Sequence, residues 1–323
     1  MSFKKLFIVF AVLALSAGSL TGCGKLPPSR KRIAADEKLG IKFSADRRTL
    51  LKYNSQLTDE SYSIPSGVTA IGDGAFEGCR LTSVEIPSGV GTIGKNAFAR
   101  CRNLKSVTIP SGVEAVGDNA FSKCENLEEV TIQAWERSFG SGALRDSKMA
   151  RVTVPTTATA VGSGAFEGCV NLKSVTMRSG VTAIGDNAFG NCRRLKSVTI
   201  PSTVSAIGSG AFSRCEDLTE VTISTGVSEV KGGTFYGCVN LESVTIPSGV
   251  KKIGEQAFYG CANLRSVTIP SSVSVIGQEA FAYCKKLTDA TISSGGTTIS
   301  WRAFAGCPCE KSVAKQFPKY ARY

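Results

Sequence analysis

The chain has 323 residues, a formal charge of +12, 34 glycines, 12 cysteines and no histidine. Without histidine there is no Ser-His-Asp or Cys-His nucleophile and no His-based metal hydrolysis. At 42% hydrophobic and 20% charged residues the composition is that of a folded chain rather than a disordered one.

In chain order the first element is an export signal. Lys4 and Lys5 form a basic start, Leu6 to Ala17 an apolar run, and Leu20-Thr21-Gly22-Cys23 closes it. The apolar run is shorter than the roughly 20 residues that span a bilayer. The closing tetrapeptide resembles the bacterial lipobox, which implies a signal peptide at 1–22 and a lipid on Cys23 as the link to a membrane. Residues 23–40 then read as a lipidated tether and 41–63 as an N-terminal cap, with a small hairpin around Asp46-Arg47-Arg48.

From there the chain repeats. Phe76, Phe98, Phe121, Leu144, Phe166, Phe189, Phe212, Phe235, Phe258, Phe281 and Phe304 recur every 23 residues, with two intervals of 22. Cys79, Cys101, Cys124, Ser147, Cys169, Cys192, Cys215, Cys238, Cys261, Cys284 and Cys307 follow three residues behind. Both short intervals lose a residue just after the cysteine position, which marks a loop. Within one unit, Val107 and Ile109 flank Thr108 with the alternation of a half-buried strand. Pro110 ends that strand, as Pro65, Pro87, Pro155, Pro201, Pro247 and Pro270 do in other units. Val113 and Val116 carry the chain back, a glycine column at Gly72, Gly94, Gly117, Gly162, Gly185, Gly208, Gly254 and Gly277 suits positive φ, and Ala-Phe-x-x-Cys is expected to form one helical or 3₁₀ turn.

Such coils bury their apolar faces only by stacking, with parallel strands about 4.8 Å apart. The expected fold is an α/β-type repeat solenoid at 64–309, an arc of about eleven coils on the order of 50 Å long with a parallel sheet on its concave face. Residues 310–323, basic and aromatic, form the expected C-terminal cap or tail.

The unit Leu-x-x-Val-x-Ile-Pro-x-x-Val-x-x-Ile-Gly-x-x-Ala-Phe-x-x-Cys resembles the BspA-like, or treponemal-type, leucine-rich repeat over roughly residues 41–309. The resemblance implies a surface or secreted protein of a host-associated microbe. It also implies an adhesin-like role toward extracellular-matrix or plasma proteins, a scaffold being shared more widely than a ligand.

The cysteine column is read as reduced core thiols, with disulfides as the alternative and a metal site disfavoured, since the column holds no Cys-x-x-Cys pair. No acidic constellation persists from coil to coil: Glu128 and Glu129 are succeeded by Ala150 and Arg151. No catalytic residue, metal or cofactor is expected, and scattered lysines argue against nucleic acid as partner.

The candidate binding face is the column Thr108, Thr131, Thr153, Thr176, Thr199, Thr222, Thr245, Thr268 and Thr291, flanked by Lys105, Lys173, Lys196 and Arg265. Its two readings are β-propensity with solubility, and a polar platform for a protein or glycan. Trp135, in the aberrant fourth coil, and Tyr236 and Tyr259, expected to stack, are candidate hot spots or repacking. Two placements compete for the whole chain: outer membrane or cell surface, which is preferred, and a periplasm-facing scaffold without a host ligand.

Overall fold

The computed structural model describes residues 28–133, 138–154, 156–293 and 296–318. It is a parallel β-solenoid. Each regular coil has two short strands, such as Ser106–Ile109 and Ala115–Val116, joined by a corner. At that corner the Pro110 carbonyl accepts the Val113 N–H at 3.1 Å, and Pro65, Pro201, Pro247 and Pro270 serve Val68, Val204, Val250 and Val273 in the same way.

Successive first strands pair in parallel with equivalent residues opposite one another, Thr108 on Thr131 and Val107 on Val130. Second strands make their own parallel ladder, Ile93 on Val116. Along Ser106–Ile109 exposed and buried residues alternate, as the two-residue period requires. The first-strand ladder is interrupted after Glu129–Ile132, where the fourth coil departs from the repeat.

The core is built of columns. Phe76, Phe98 and Phe121 stack at 4.8 and 4.9 Å, nearly coplanar. The run from Phe166 to Phe304 continues at similar spacing. Leu144 stands in the gap, fully buried.

The cysteines are free and buried. Each thiol from Cys192 onward in the column donates to the phenylalanine carbonyl of the preceding coil, for instance Cys192 Sγ to Phe166 O at 3.1 Å and Cys238 Sγ to Phe212 O at 3.2 Å. A thiol here is a small hydrophobe whose weak donor finds a neighbour's acceptor. Ser147 keeps the place, with its Oγ 3.3 Å from Cys169 Sγ.

The expectation of one helical or 3₁₀ turn on the Ala-Phe-x-x-Cys limb holds only as separate turns closed three residues back, not as a continuous helix. Ala120 and Ser122 donate back three residues, to Gly117 and Asn119, while Asn119, Phe121 and Lys123 donate to the next coil. Two left-handed residues four apart, such as Asn119 (φ 55) and Lys123 (φ 57), break helical continuity in this limb.

The glycine column does not supply the expected positive φ; the left-handed position lies two residues later, at Gly74, Asn96, Asn119, Asn187, Gly233 and their equivalents. Glycine suits the position because coils approach closely there, although Lys231 and Ser300 occupy it in two coils. A Cβ on Gly254 would meet Gly232 N at 2.6 Å, and one on Gly117 would meet Gly94 C at 2.7 Å.

The N-terminal cap reaches further back than residue 41. Within the stretch expected as a tether, helix α1 (Pro28–Lys38) packs on the first coil. Ile33 is buried beneath it, and buried Asp36 accepts bonds from Arg32 Nε at 3.0 Å and Tyr62 Oη at 2.7 Å. Burying an apolar side chain and a doubly bonded carboxylate holds the segment down. After α1, strand β1 (Lys42–Phe43) pairs antiparallel with β2 (Thr49–Lys52), the hairpin expected around Asp46-Arg47-Arg48. At the other end helix α2 (Glu310–Gln316) closes the last coil through Val313 and Phe317. Cys23, Trp135 and residues 1–22 lie outside the described residues.

Candidate functional site

The first-strand sheet places all nine threonines of the predicted column on its exposed side. Parallel pairing in zero register aligns them: Thr153 with Thr176, Thr176 with Thr199, Thr222 with Thr245 and Thr268 with Thr291. A β-branched residue at an exposed strand position keeps a hydroxyl and a methyl facing outward in a restricted rotamer set. The result is a flat polar strip that repeats with the coils.

Lys105, Lys173 and Lys196 are exposed at its border. Arg265 is also exposed, but its charge is offset by Glu242, 4.0 Å away. The strip is therefore only weakly cationic toward its C-terminal end.

Sequence reasoning missed that this face is not uniformly flat. A shallow groove of about 530 Å³ runs beside Thr108, lined among others by Ser83, Glu85, Pro87, Ser106, Pro110 and Gln133. One of its lining residues was visible as an irregularity in the sequence: Gln133 stands where most other coils have proline.

The predicted tyrosines do come together. Tyr236 and Tyr259 stack at 5.0 Å and 4°, and Tyr283 meets Tyr259 edge-on at 5.3 Å. The ridge extends to residues the repeat pattern did not flag. Arg302 bonds Tyr283 Oη at 2.9 Å and lies 5.1 Å from the exposed Trp301 ring. Burial and neighbouring negative charge push the Tyr259 phenol upward. This ridge stands on the turn limb of the coil and the threonine strip on the first strand, so they form two surfaces rather than one site.

The thiols offer no nucleophile. Burial pushes Cys79 up to about 11 and Cys124 to about 12. Among the described residues no group of three or more Cys, Asp or Glu side chains is placed to hold a metal ion.

Charge is concentrated at the N-terminal end. Between Pro28 and Lys52, Arg30, Lys31, Arg32, Lys38, Lys42, Arg47, Arg48 and Lys52 outnumber Asp36, Glu37 and Asp46, a net +5 in 25 residues, which the exposed Asp59 and Glu60 reduce to +3 over residues 28–63. Asp36 is buried, Glu37 is gripped by Arg47 at 2.8 and 3.2 Å, and Asp46 takes Ser44 Oγ and the Arg48 N–H. The hydroxyl, that N–H and the Arg48 charge hold the Asp46 carboxyl below the usual carboxylate range.

These features define a class: a stacked-coil scaffold whose information lies on its surfaces. The chain belongs to the family of BspA-type leucine-rich repeat regions, a six-copy unit that it matches over residues 53–173, 137–261 and 217–319. Among solved structures it is similar to a leucine-rich repeat protein from Eubacterium ventriosum, at 28% identity over 79% of this chain and 78% of that one, with a TM-score of 0.56. The pneumococcal vaccine antigen PcpA shares the fold at 18% identity over 82% and 74% of the two chains, TM-score 0.54. A leucine-rich cell surface protein of Faecalibacterium prausnitzii aligns at 27% identity over 78% and 92%, TM-score 0.43. No curated protein matches the sequence. Among the described residues no helix is long and apolar enough to cross a membrane.

Proposed function

We propose that this chain is a cell-envelope lipoprotein, anchored through a lipid on Cys23, that binds proteins of a host or of neighbouring cells through the first-strand face. The observation that carries this reading is the threonine column held in register on the exposed side of the sheet. A repeating strip of hydroxyls offers a donor and an acceptor at every coil, so weak contacts add up along an extended partner. The groove beside Thr108 and Gln133 gives that strip one place of distinct shape, where a side chain of the partner can be buried.

Extracellular-matrix and plasma proteins are the proposed partners, and the outer membrane or cell surface the proposed location. The chain acts in this reading without a cofactor and without catalysis.

The test joins location to binding. Intact cells are treated with protease, and the mature chain is screened against matrix proteins, plasma proteins and glycans alongside a Thr108→Glu/Thr131→Glu variant. Cleavage on intact cells and a bound protein whose affinity falls at least ten-fold in the variant are the expected results. Protection of the whole solenoid until the outer membrane is breached would overturn the surface reading in favour of a periplasm-facing scaffold.

A further inference from the structure

We infer that the N-terminal cap is a membrane-docking surface that binds the acidic phospholipid headgroups of the bilayer holding the chain. The inference deepens the proposal that Cys23 is lipidated and takes its geometry from that proposal, but its chemistry stands on the cap alone.

Asp36 is buried and Glu37 is paired with Arg47, and with Asp46, Asp59 and Glu60 counted residues 28–63 still carry a net +3, so the outward charge of the cap is cationic. Arg30 on α1 and Arg47 and Arg48 on the hairpin line one cavity of about 290 Å³ together with the Asp46 carboxylate, and Arg47 is paired with Glu37, so Arg30 and Arg48 are the cations it offers to a phosphate group. Lys42 and Lys52 pair across the same hairpin and are exposed.

Two large apolar side chains stand exposed among these cations, Leu39 at 52% and Leu51 at 45%. The Leu39 carbonyl accepts Asn54 Nδ2 at 2.9 Å, which fastens the end of α1 beside β2 and keeps the two leucines in the same part of the cap. A lone exposed leucine means nothing. Two leucines within a net +3 cap match the composition of an interface that enters headgroups and leaves its charges among phosphates.

Covalent distance brings the lipid to the same place. Five residue steps separate Cys23 from Pro28 and cover at most about 17 Å when fully extended. A lipid on Cys23 therefore keeps the start of α1 within about two Debye lengths of the bilayer at physiological salt. Lipid and basic surface together supply the two signals that stable anchoring needs, where one acyl chain alone is marginal. Because the coils stack in sequence order from this end, docking by the cap directs the remaining coils away from the bilayer and leaves the threonine face open.

The test uses the mature chain with Cys23→Ser, so that no lipid contributes, in sedimentation with vesicles of phosphatidylcholine alone or mixed with phosphatidylglycerol. Binding is expected only to the mixed vesicles and is lost in high salt. Arg30→Ala/Lys42→Ala/Arg48→Ala is expected to weaken it about a hundred-fold, at about five-fold per cation. Leu39→Ala/Leu51→Ala should weaken it as well, while Lys173→Ala/Lys196→Ala on the strand face leaves it unchanged. Circular dichroism and urea midpoints confirm that each variant is folded.

Equal binding to neutral vesicles, equal binding by the triple variant, or capture by an acidic polysaccharide without vesicle binding would overturn the inference. Mass spectrometry of the native chain reads the anchor separately. An unmodified Cys23 defeats the lipidation proposal and leaves the vesicle result standing.

Discussion

Gly254 and Gly233 separate two reasons for glycine in this fold, and Asn at each position distinguishes them. Gly233 has φ +63 and nothing nearer than 3.9 Å to a built Cβ. Asn96, Asn119 and Asn187 occupy the equivalent place with φ between 52 and 55. Gly233→Asn should therefore change stability by no more than about 1 kcal/mol, since asparagine tolerates the left-handed region and lowers the entropy of the unfolded chain.

Gly254 has no positive φ, but a Cβ there meets Gly232 N at 2.6 Å and Lys231 C at 2.8 Å, atoms of the preceding coil's backbone. Relief requires the two coils to part by several tenths of an ångström where Gly254 N bonds Val230 O at 2.7 Å. Overpacking of this kind costs about 1–3 kcal/mol and the weakened hydrogen bond about 1 more. Gly254→Asn is thus expected to lose about 2–4 kcal/mol. The assay is urea unfolding under reducing conditions, followed by circular dichroism, with hydrogen exchange locating the loosened coils. A Gly254→Asn cost equal to or below that of Gly233→Asn would refute the close-approach argument and restore a conformational reason for the column.

Phe212→Ala removes a fully buried ring from a stack with neighbours at 5.3 and 5.5 Å and should cost about 3–5 kcal/mol, read as a lowered urea midpoint. Asp36→Ala deletes the acceptor shared by Arg32 and Tyr62, so protease should cut α1 faster while the distant coils keep their exchange protection. The thiols of Cys79 and Cys124 are raised to about 11 and about 12 in the fold, above the ordinary value of 9.0. The protonated form is thus favoured by folding, and its contribution is complete below pH 9 and lost as pH rises toward 11–12. The urea midpoint should hold up to about pH 8 and fall above 9; a midpoint rising through that window would show the sign to be wrong. Thr176→Glu should alter stability by no more than about 0.5 kcal/mol, measured the same way, because its side chain is exposed.

Much of this architecture is legible in the sequence because a solenoid uses one local solution many times. The period, the Val107–Thr108–Ile109 alternation, the proline corner and the Phe column are properties of neighbouring residues and their recurrence. The threonine strip follows from the same alternation, and the stacking of Tyr236 on Tyr259 from their equal place in adjacent coils.

What the sequence does not contain is how closely one coil approaches the next. The reason for Gly254, the acceptors of the column thiols such as Cys238 and the groove beside Gln133 all depend on distances between residues of neighbouring coils, some 23 apart in sequence. The left-handed column was hidden for a related reason: Gln256, Glu279 and Arg302 occupy it without looking like turn residues, the first two held there by bonds to the next coil. The cap was hidden too. A run such as Arg30-Lys31-Arg32 carries no helical stripe, and only the packing of Ile33 and Asp36 on the first coil folds it. Periodicity determined the repeat, and contact between repeats decided what each position is for.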